Sequence, residues 1–333
     1  MPILGRRISG SRPARLAQTV ATLEDFAPET IADPRTPFEA NRPKRPVSVR
    51  PPAVDTRDRM CGAPGCTSGW MKPWKNRTRP MFEDEWACGT RCIESLVAAA
   101  VRREVGDPQG IEDEVPHQHR VPLGLVLLAQ GWITHPQLQH ALAAQRASGQ
   151  GRIGEWLTTS CGLPEERIAR GLGVQWNCPV LNLEGFSPRT MALVMPKRFI
   201  AEFGLVPVRV AAESILYLAF QERIKAAAAL SLEQMCGLRV ESGLLTSSML
   251  EAARRKLLEA PSIPCRIRLV SDADALTTGI VKSLEQRQPV ASRLVRMHQY
   301  FWLRLWMEEA ALPVNGRMPV GTEDMEDHIF VMR

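Results

Sequence analysis

Between residues 119 and 177 apolar side chains return every three or four positions, and the series occurs twice. Leu123, Leu127, Leu128, Ile133, Leu138 and Leu142 make the first; Ile153, Leu157, Leu163, Ile168 and Leu172 make the second, 30 positions later. The same displacement lays Gly124 on Gly154 and Gln145 on Gln175. Three-and-four spacing marks one face of a helix, and a repeated series marks a duplicated supersecondary unit, so this stretch predicts two helical hairpins docked side by side. The turn residues agree. Thr134 and Gln137 are spaced for a capping box, while Pro164, Glu165 and Glu166 suit the start of the matching helix. Gly131 and Gly162 supply left-handed backbone where the first helix of each hairpin stops.

Past residue 178 the period changes. Leu205–Val210 and Ile215–Phe220 are β-rich runs around a short turn, with Val180–Leu183 and Leu238–Glu241 as further short strands. Helices are expected over Thr190–Phe203, over Lys225–Met235, and over Met249–Leu258 behind a Ser248/Glu251 capping box. Residues 178–260 thus predict a small α/β sandwich. In 261–333, Val290, Leu294, Met297, Phe301, Trp306 and Met307 approximate a helix face, flanked by Arg293, Arg296 and Arg304. A helical C-terminal extension with an amphipathic helix from Val290 to Ala311 is expected, for core packing or for a partner or membrane surface, with an acidic tail around Glu323–Asp327. The fold class is α+β: tandem helical hairpins (119–177) beside an α/β subdomain (178–260).

Residues 1–58 show no period and hold nine prolines among Arg and Ser, which predicts a largely disordered arm with at most a short helix over Leu16–Phe26. Residues 107–118, acidic with Pro and Gly, read as a linker. The 44% hydrophobic content is ordinary for a globular chain of about two domains, and a net charge of +6 tolerates anionic partners without demanding a nucleic acid. No apolar run approaches a membrane span, and Arg6 and Arg7 are not followed by the apolar core of an export signal, so a cytoplasmic location is expected.

Eight cysteines in a reducing compartment favour metal ligation over disulfides. Cys61 and Cys66 flank a Gly-Pro-Gly knuckle, and Cys88 and Cys92 open a helical pattern. Two such pairs can bring four sulfurs to one tetrahedral zinc, a closed structural site that would staple a module (59–106) too small to stand alone. Buried thiols or a redox pair are the alternatives. Cys161, Cys178, Cys236 and Cys265 read as small core residues.

The phrase Leu-Gly-x-x-Leu-Leu-x-x-Gly-x-Ile-x-x-x-x-Leu-x-x-Ala-Leu-x-x-Gln, from Leu123 to Gln145, resembles the tandem motif of the N-terminal domain of type II secretion and type IV pilus assembly ATPases, the GspE/MshE N-terminal family. Cys178-Pro-Val-Leu-Asn-Leu, Phe186 to Phe199, Gly204-Leu-Val-Pro-Val, Ile215 to Phe220 and Gly237-Leu-Arg-Val are similar to that family's α/β half, extending the likeness over about residues 119–260. Some members bind cyclic di-GMP through the tandem motif. The resemblance therefore implies a nucleotide site of Leu123, Gly124, Leu127, Leu128, Gly131, Leu138, Leu142 and Gln145 from the first copy, with Arg152, Ile153, Gly154, Leu157, Ile168, Leu172 and Gln175 from the second. Pro122 stands where the first motif usually has Arg, and Cys161 where the second usually has Gly. Without the family, the same Leu, Ile and Gly positions read as packing between hairpins.

Other motifs carry less. Gly149-x-Gly151-x-x-Gly154 spells a dinucleotide fingerprint but follows a helical pattern rather than a strand, and His117-x-His119 has no further ligand nearby. Trp70, Lys72, Trp74, Lys75, Arg77 and Arg79 make a basic, aromatic loop that suits a solvated face or single-stranded nucleic acid. No Gly-x-x-x-x-Gly-Lys-Ser/Thr is present, so the ATPase motor of the family is not expected. The sequence reads as a non-enzymatic regulatory or adaptor protein responding to cyclic di-GMP and linked to secretion or pilus components; the alternative is a zinc-dependent nucleic-acid or protein binding module with the repeat as scaffold.

Overall fold

The computed structural model describes residues 61–66, 80–106, 121–220, 226–312 and 321–332. The expected arm (1–58), the linker (107–118), the basic loop at 70–79 and His117 and His119 lie outside the described residues. Two short antiparallel strands, β1 (Met81–Phe82) and β2 (Glu85–Trp86), lead into helix α1 (Thr90–Gly106), which buries Ile93, Val97, Ala100 and Val101 along one side.

The two predicted hairpins follow. Helices α2 (Leu123–Ala129) and α3 (His135–Ser148) form one copy, α4 (Ile153–Cys161) and α5 (Glu165–Trp176) the other. The Thr134/Gln137 capping box is made, and Gly131 and Gly162 are left-handed at φ 65° and 66°. The copies interlock: α2 packs on α5 and α3 on α4, around Leu123, Leu127, Ile133, Leu138, Ala141, Leu157 and Leu163.

Helices α6 (Pro188–Met191) and α7 (Lys197–Phe203) replace the single helix expected over Thr190–Phe203. Pro196, which has no N–H to give a helix interior, caps α7 instead, and Ala192–Val194 turns between them. Strands β3 (Val206–Ala211) and β4 (Ile215–Phe220) form the expected antiparallel hairpin. After α8 (Ala226–Cys236), strand β5 (Arg239–Leu244) joins β4 in parallel. The third strand expected at Val180–Leu183 is only a single bridge, Val180 to Leu244. Helix α9 (Ser247–Glu259) packs over α6, α7 and β3.

The C-terminal region corrects the sequence reading. The helix expected over Val290–Ala311 is a β-hairpin, β7 (Ala291–Met297) and β8 (Tyr300–Trp306), turning at His298 with φ 54°. It belongs to a four-stranded sheet with β6 (Cys265–Val270) and β9 (Met325–Met332), in the order β6, β9, β8, β7, so the extension is not simply helical. Its one long helix, α10 (Ala273–Arg287), lies between β6 and β7 in sequence. Glu323–Asp327 is likewise no loose acidic tail: Glu326 and Asp327 are buried in β9.

Strand β8 is covered on both faces, which explains the misreading. Along β8, Phe301, Leu303 and Leu305 enter a core with α1 and α10, while Tyr300, Trp302 and Trp306 enter the core of the α/β subdomain. A strand buried on both faces loses its polar alternation and becomes a continuous apolar run. Phe82, Ala87 and the buried face of α1 share one core with α10, β7, β8 and β9, so residues 121–260 leave and rejoin the same body.

Candidate functional site

The first turns of α2 and α4 meet at the centre of the repeat. A Cβ on Gly154 would lie 3.7 Å from Leu123 Cδ2 and 3.0 Å from Ile168 Cγ2; one on Gly124 would lie 2.7 Å from Leu138 Cδ1. Since 124 and 154, like 138 and 168, are equivalent positions, the bare backbone lets each copy's second helix close over the start of its first in the same way. The glutamines complete the symmetry. Gln145 Nε2 donates to the Gly151 carbonyl at 2.9 Å, and Gln175 Nε2 to the Val121 carbonyl at 2.7 Å. Thus the end of each copy holds the backbone that begins the other, a pseudo-two-fold exchange.

The residues named from the motif divide by depth. Leu123, Gly124, Leu127, Leu138, Gly154 and Leu157 are buried and build the hairpin core. Leu128, Leu142, Ile153, Ile168 and Leu172 are half-buried against it. Gln145 and Gln175 are half-buried, and Arg152 and Gly131 lie exposed. The departure at Cys161 is absorbed locally: α4 runs through Cys161, and Gly162 takes the left-handed position that Gly131 takes in the first copy. Ile133 and Leu163, beyond those turns, are both buried, so the two copies are back in phase there.

The two cysteine pairs come together. The four sulfurs of Cys61, Cys66, Cys88 and Cys92 all lie within 4.8 Å of one another, with Cys66 and Cys92 each 3.5 Å from Cys88. Four sulfurs about 2.3 Å from a common centre at tetrahedral angles would be about 3.8 Å apart, so the cluster fits a metal ion of that kind. The Cys88 N–H donates to Cys61 Sγ at 3.4 Å, and Gly62 N–H to the Trp86 carbonyl at 2.9 Å, tying the knuckle to the hairpin and α1. Burial, followed by hydrogen bonding among the sulfurs, pushes Cys88 and Cys92 up from the ordinary thiol range, so without a cation both are held as neutral thiols. Of the other four cysteines, Cys236 is buried and Cys161 and Cys178 half-buried; Cys265, expected in a core, is exposed because it begins the edge strand β6.

Two polar clusters in the C-terminal sheet escaped the sequence reading. Arg304 pairs with Asp327 through Nε at 2.8 Å and Nη2 at 2.9 Å, and its Nη1 donates to the Leu193 and Val194 carbonyls, pinning the turn between α6 and α7 onto the sheet. Trp302 Nε1 donates to the same Asp327 carboxylate at 2.9 Å. On the opposite face Ser283 Oγ, His328 and Glu326 stand in line, at 3.4 Å and 3.2 Å. That order of residue types resembles a nucleophile, base and acid. All three are buried, and the Ser283 hydroxyl also bonds the Gly279 carbonyl of its own helix, so a substrate has no way in. The available signals were a lone charge, Arg304, inside an aromatic and aliphatic run, and the Glu326-Asp327-His328 triplet directly before the apolar run Ile329–Met332.

Among the described residues no helix is long and apolar enough to cross a membrane. No family model and no curated protein matches the chain. Solved structures do, among them these three. A structure of MshE with cdg is 21% identical and covers 41% of this chain and 99% of its own, with TM-score 0.34. One crystal form of the N-terminal domain of XpsE is 18% identical, covering 40% and 92%, with TM-score 0.28. Another crystal form of that domain is 19% identical, covering 39% and 90%, with TM-score 0.23.

Proposed function

We propose that the chain is a non-catalytic regulatory or adaptor protein whose tandem repeat binds cyclic di-GMP and whose four clustered cysteines hold a structural zinc ion. The observation that carries the nucleotide reading is the pseudo-two-fold junction of the repeat, where Leu123 meets Gly154 and the two glutamines exchange backbone partners. Cyclic di-GMP is itself a two-fold ring of two guanines and two phosphates. A doubled site around a local two-fold axis offers each half of such a ligand the same backbone framework. Exposed Arg152 contributes the charge, a planar fork matched to phosphate or guanine. The name of one similar structure, MshE with cdg, favours the same ligand class. Partners among secretion or pilus assembly components follow from the family resemblance alone.

Calorimetric titration of the full chain with cyclic di-GMP tests the reading. Binding tighter than ~100 μM, about −5.5 kcal/mol, is expected, with loss on Arg152→Ala. No heat at that concentration, with no competition against a labelled ligand, rejects it. For the metal, the all-sulfur donor set leaves no open position, so zinc there would act on folding and not on chemistry. Elemental analysis of metal-replete protein is expected to give about one zinc per chain, and fewer than about 0.7 counts against it.

A further inference from the structure

The repeat is symmetric in its backbone but not in what its two halves display. Pro122 and Arg152 occupy equivalent N-cap positions with similarly extended backbones, φ −54°, ψ 140° and φ −97°, ψ 151°. Around Arg152 the second half carries Gly151 and Glu155, with the Arg152 N–H donating to Glu155 Oε2 at 3.1 Å. The equivalent residues of the first half are Val121 and Leu125, which are 56% and 51% exposed. One half is therefore charged and polar. The other half presents, among its described residues, the open apolar surface of Val121, Pro122 and Leu125, with no cation among these three and, at proline, no backbone donor.

This difference decides which bases can be told apart. A guanidinium donates two parallel hydrogen bonds to the O6 and N7 acceptors of guanine; adenine puts an amino donor where O6 would be and refuses the fork. An apolar surface of Val121, Pro122 and Leu125 can take the flat face of either purine and reads no edge. Resting on the cyclic dinucleotide reading above, we infer that the junction reads one base only: guanine at the Arg152 half, either purine at the Pro122 half. The ligand class is then any cyclic purine dinucleotide with at least one guanine, the mixed GMP–AMP ring included, and residue 122 sets the specificity.

Titrating the full native chain with cyclic di-GMP, cyclic GMP–AMP and cyclic di-AMP tests this without any variant. The first two are expected within about threefold of each other, because the symmetric ring has two equivalent poses and the mixed ring one; cyclic di-AMP should bind about tenfold more weakly or worse. Pro122→Arg, which the extended backbone at that position accepts, should then favour cyclic di-GMP over the mixed ring by about tenfold. A native protein that prefers cyclic di-GMP to the mixed ring tenfold, or that binds cyclic di-AMP equally well, overturns the inference and leaves the nucleotide reading standing. If none of the three binds at ~100 μM, the nucleotide reading itself falls and takes the inference with it.

Discussion

Equivalent positions of the repeat differ in how much space they leave. Gly171 faces α2 so closely that a Cβ would lie 2.7 Å from Leu127 Cδ2 and 3.0 Å from Leu123 Cδ1, whereas its counterpart Ala141 already buries a methyl group against α4. Both leucines belong to the buried core, so Gly171→Ala should cost about 1–3 kcal/mol in urea denaturation by overpacking. The Arg304–Asp327 pair gives a second residue-scale expectation. Asp327→Ala leaves a buried guanidinium without its counter-charge and should cost about 3–5 kcal/mol, while replacing both partners with apolar residues of similar volume should cost far less. His328 supplies a pH dependence. Burial first, and then the cations of Arg268 and Arg266, hold its imidazole down at about 4, despite the opposing charge of Asp327 and the nearby Glu326. The unfolded chain therefore takes up the proton at higher pH than the folded one, and stability should fall as pH drops from about 6.5 to about 4. Chemical denaturation across that window should flatten in His328→Asn; an unchanged slope would discount the imidazole.

Helix starts and stops in the repeat were legible because short-range chemistry sets them: Thr134, Gln137, Gly131 and Gly162 each act within a few residues. One cap was misplaced. Helix α9 begins at Thr246, whose hydroxyl accepts from the Met249 N–H at 3.3 Å, and Ser248 instead binds Glu165 Oε2 with its N–H at 3.0 Å and its hydroxyl at 2.7 Å. Those two bonds hold the Glu165 carboxyl below the usual range and link the repeat to the α/β subdomain. Thr246→Ala should therefore cost about 1 kcal/mol of stability by thermal denaturation, with Ser248→Ala keeping the cap. The hairpin of β7 and β8 was illegible for a different reason. Residues 300–306 are apolar on both faces apart from Arg304, so no alternation shows, and the turn at His298 and Gln299 lacks the Asn-Gly or Asp-Gly signature. The aromatic richness of that run was the signal that pointed to a strand.

At the scale of the whole molecule, the cysteine cluster and the C-terminal sheet form one body although more than 150 residues separate them in sequence. The clustering of Cys61, Cys66, Cys88 and Cys92 was legible because each pair is local, but nothing local announces that α1 packs on α10. Stripping the proposed zinc with a strong chelator should thus loosen α1 and α10 together. Hydrogen exchange should show their amides losing protection while α2 to α5 keep theirs; equal loss throughout would mean the cluster supports the entire chain instead. The candidate nucleotide site was readable only in outline. Motif spacing found the two halves, but the reciprocal roles of Gln145 and Gln175 arise from the docked arrangement.

That reciprocity limits what can happen to the repeat over evolutionary time. Each hairpin borrows its lid and its fastening from the twin, so a deletion that spares one copy strands the survivor with an open leucine face and an unclasped entry strand. Recombination that hands on the pair keeps both fastenings, whereas a solitary half loses the glutamine clasp and the leucine cover that its twin supplies.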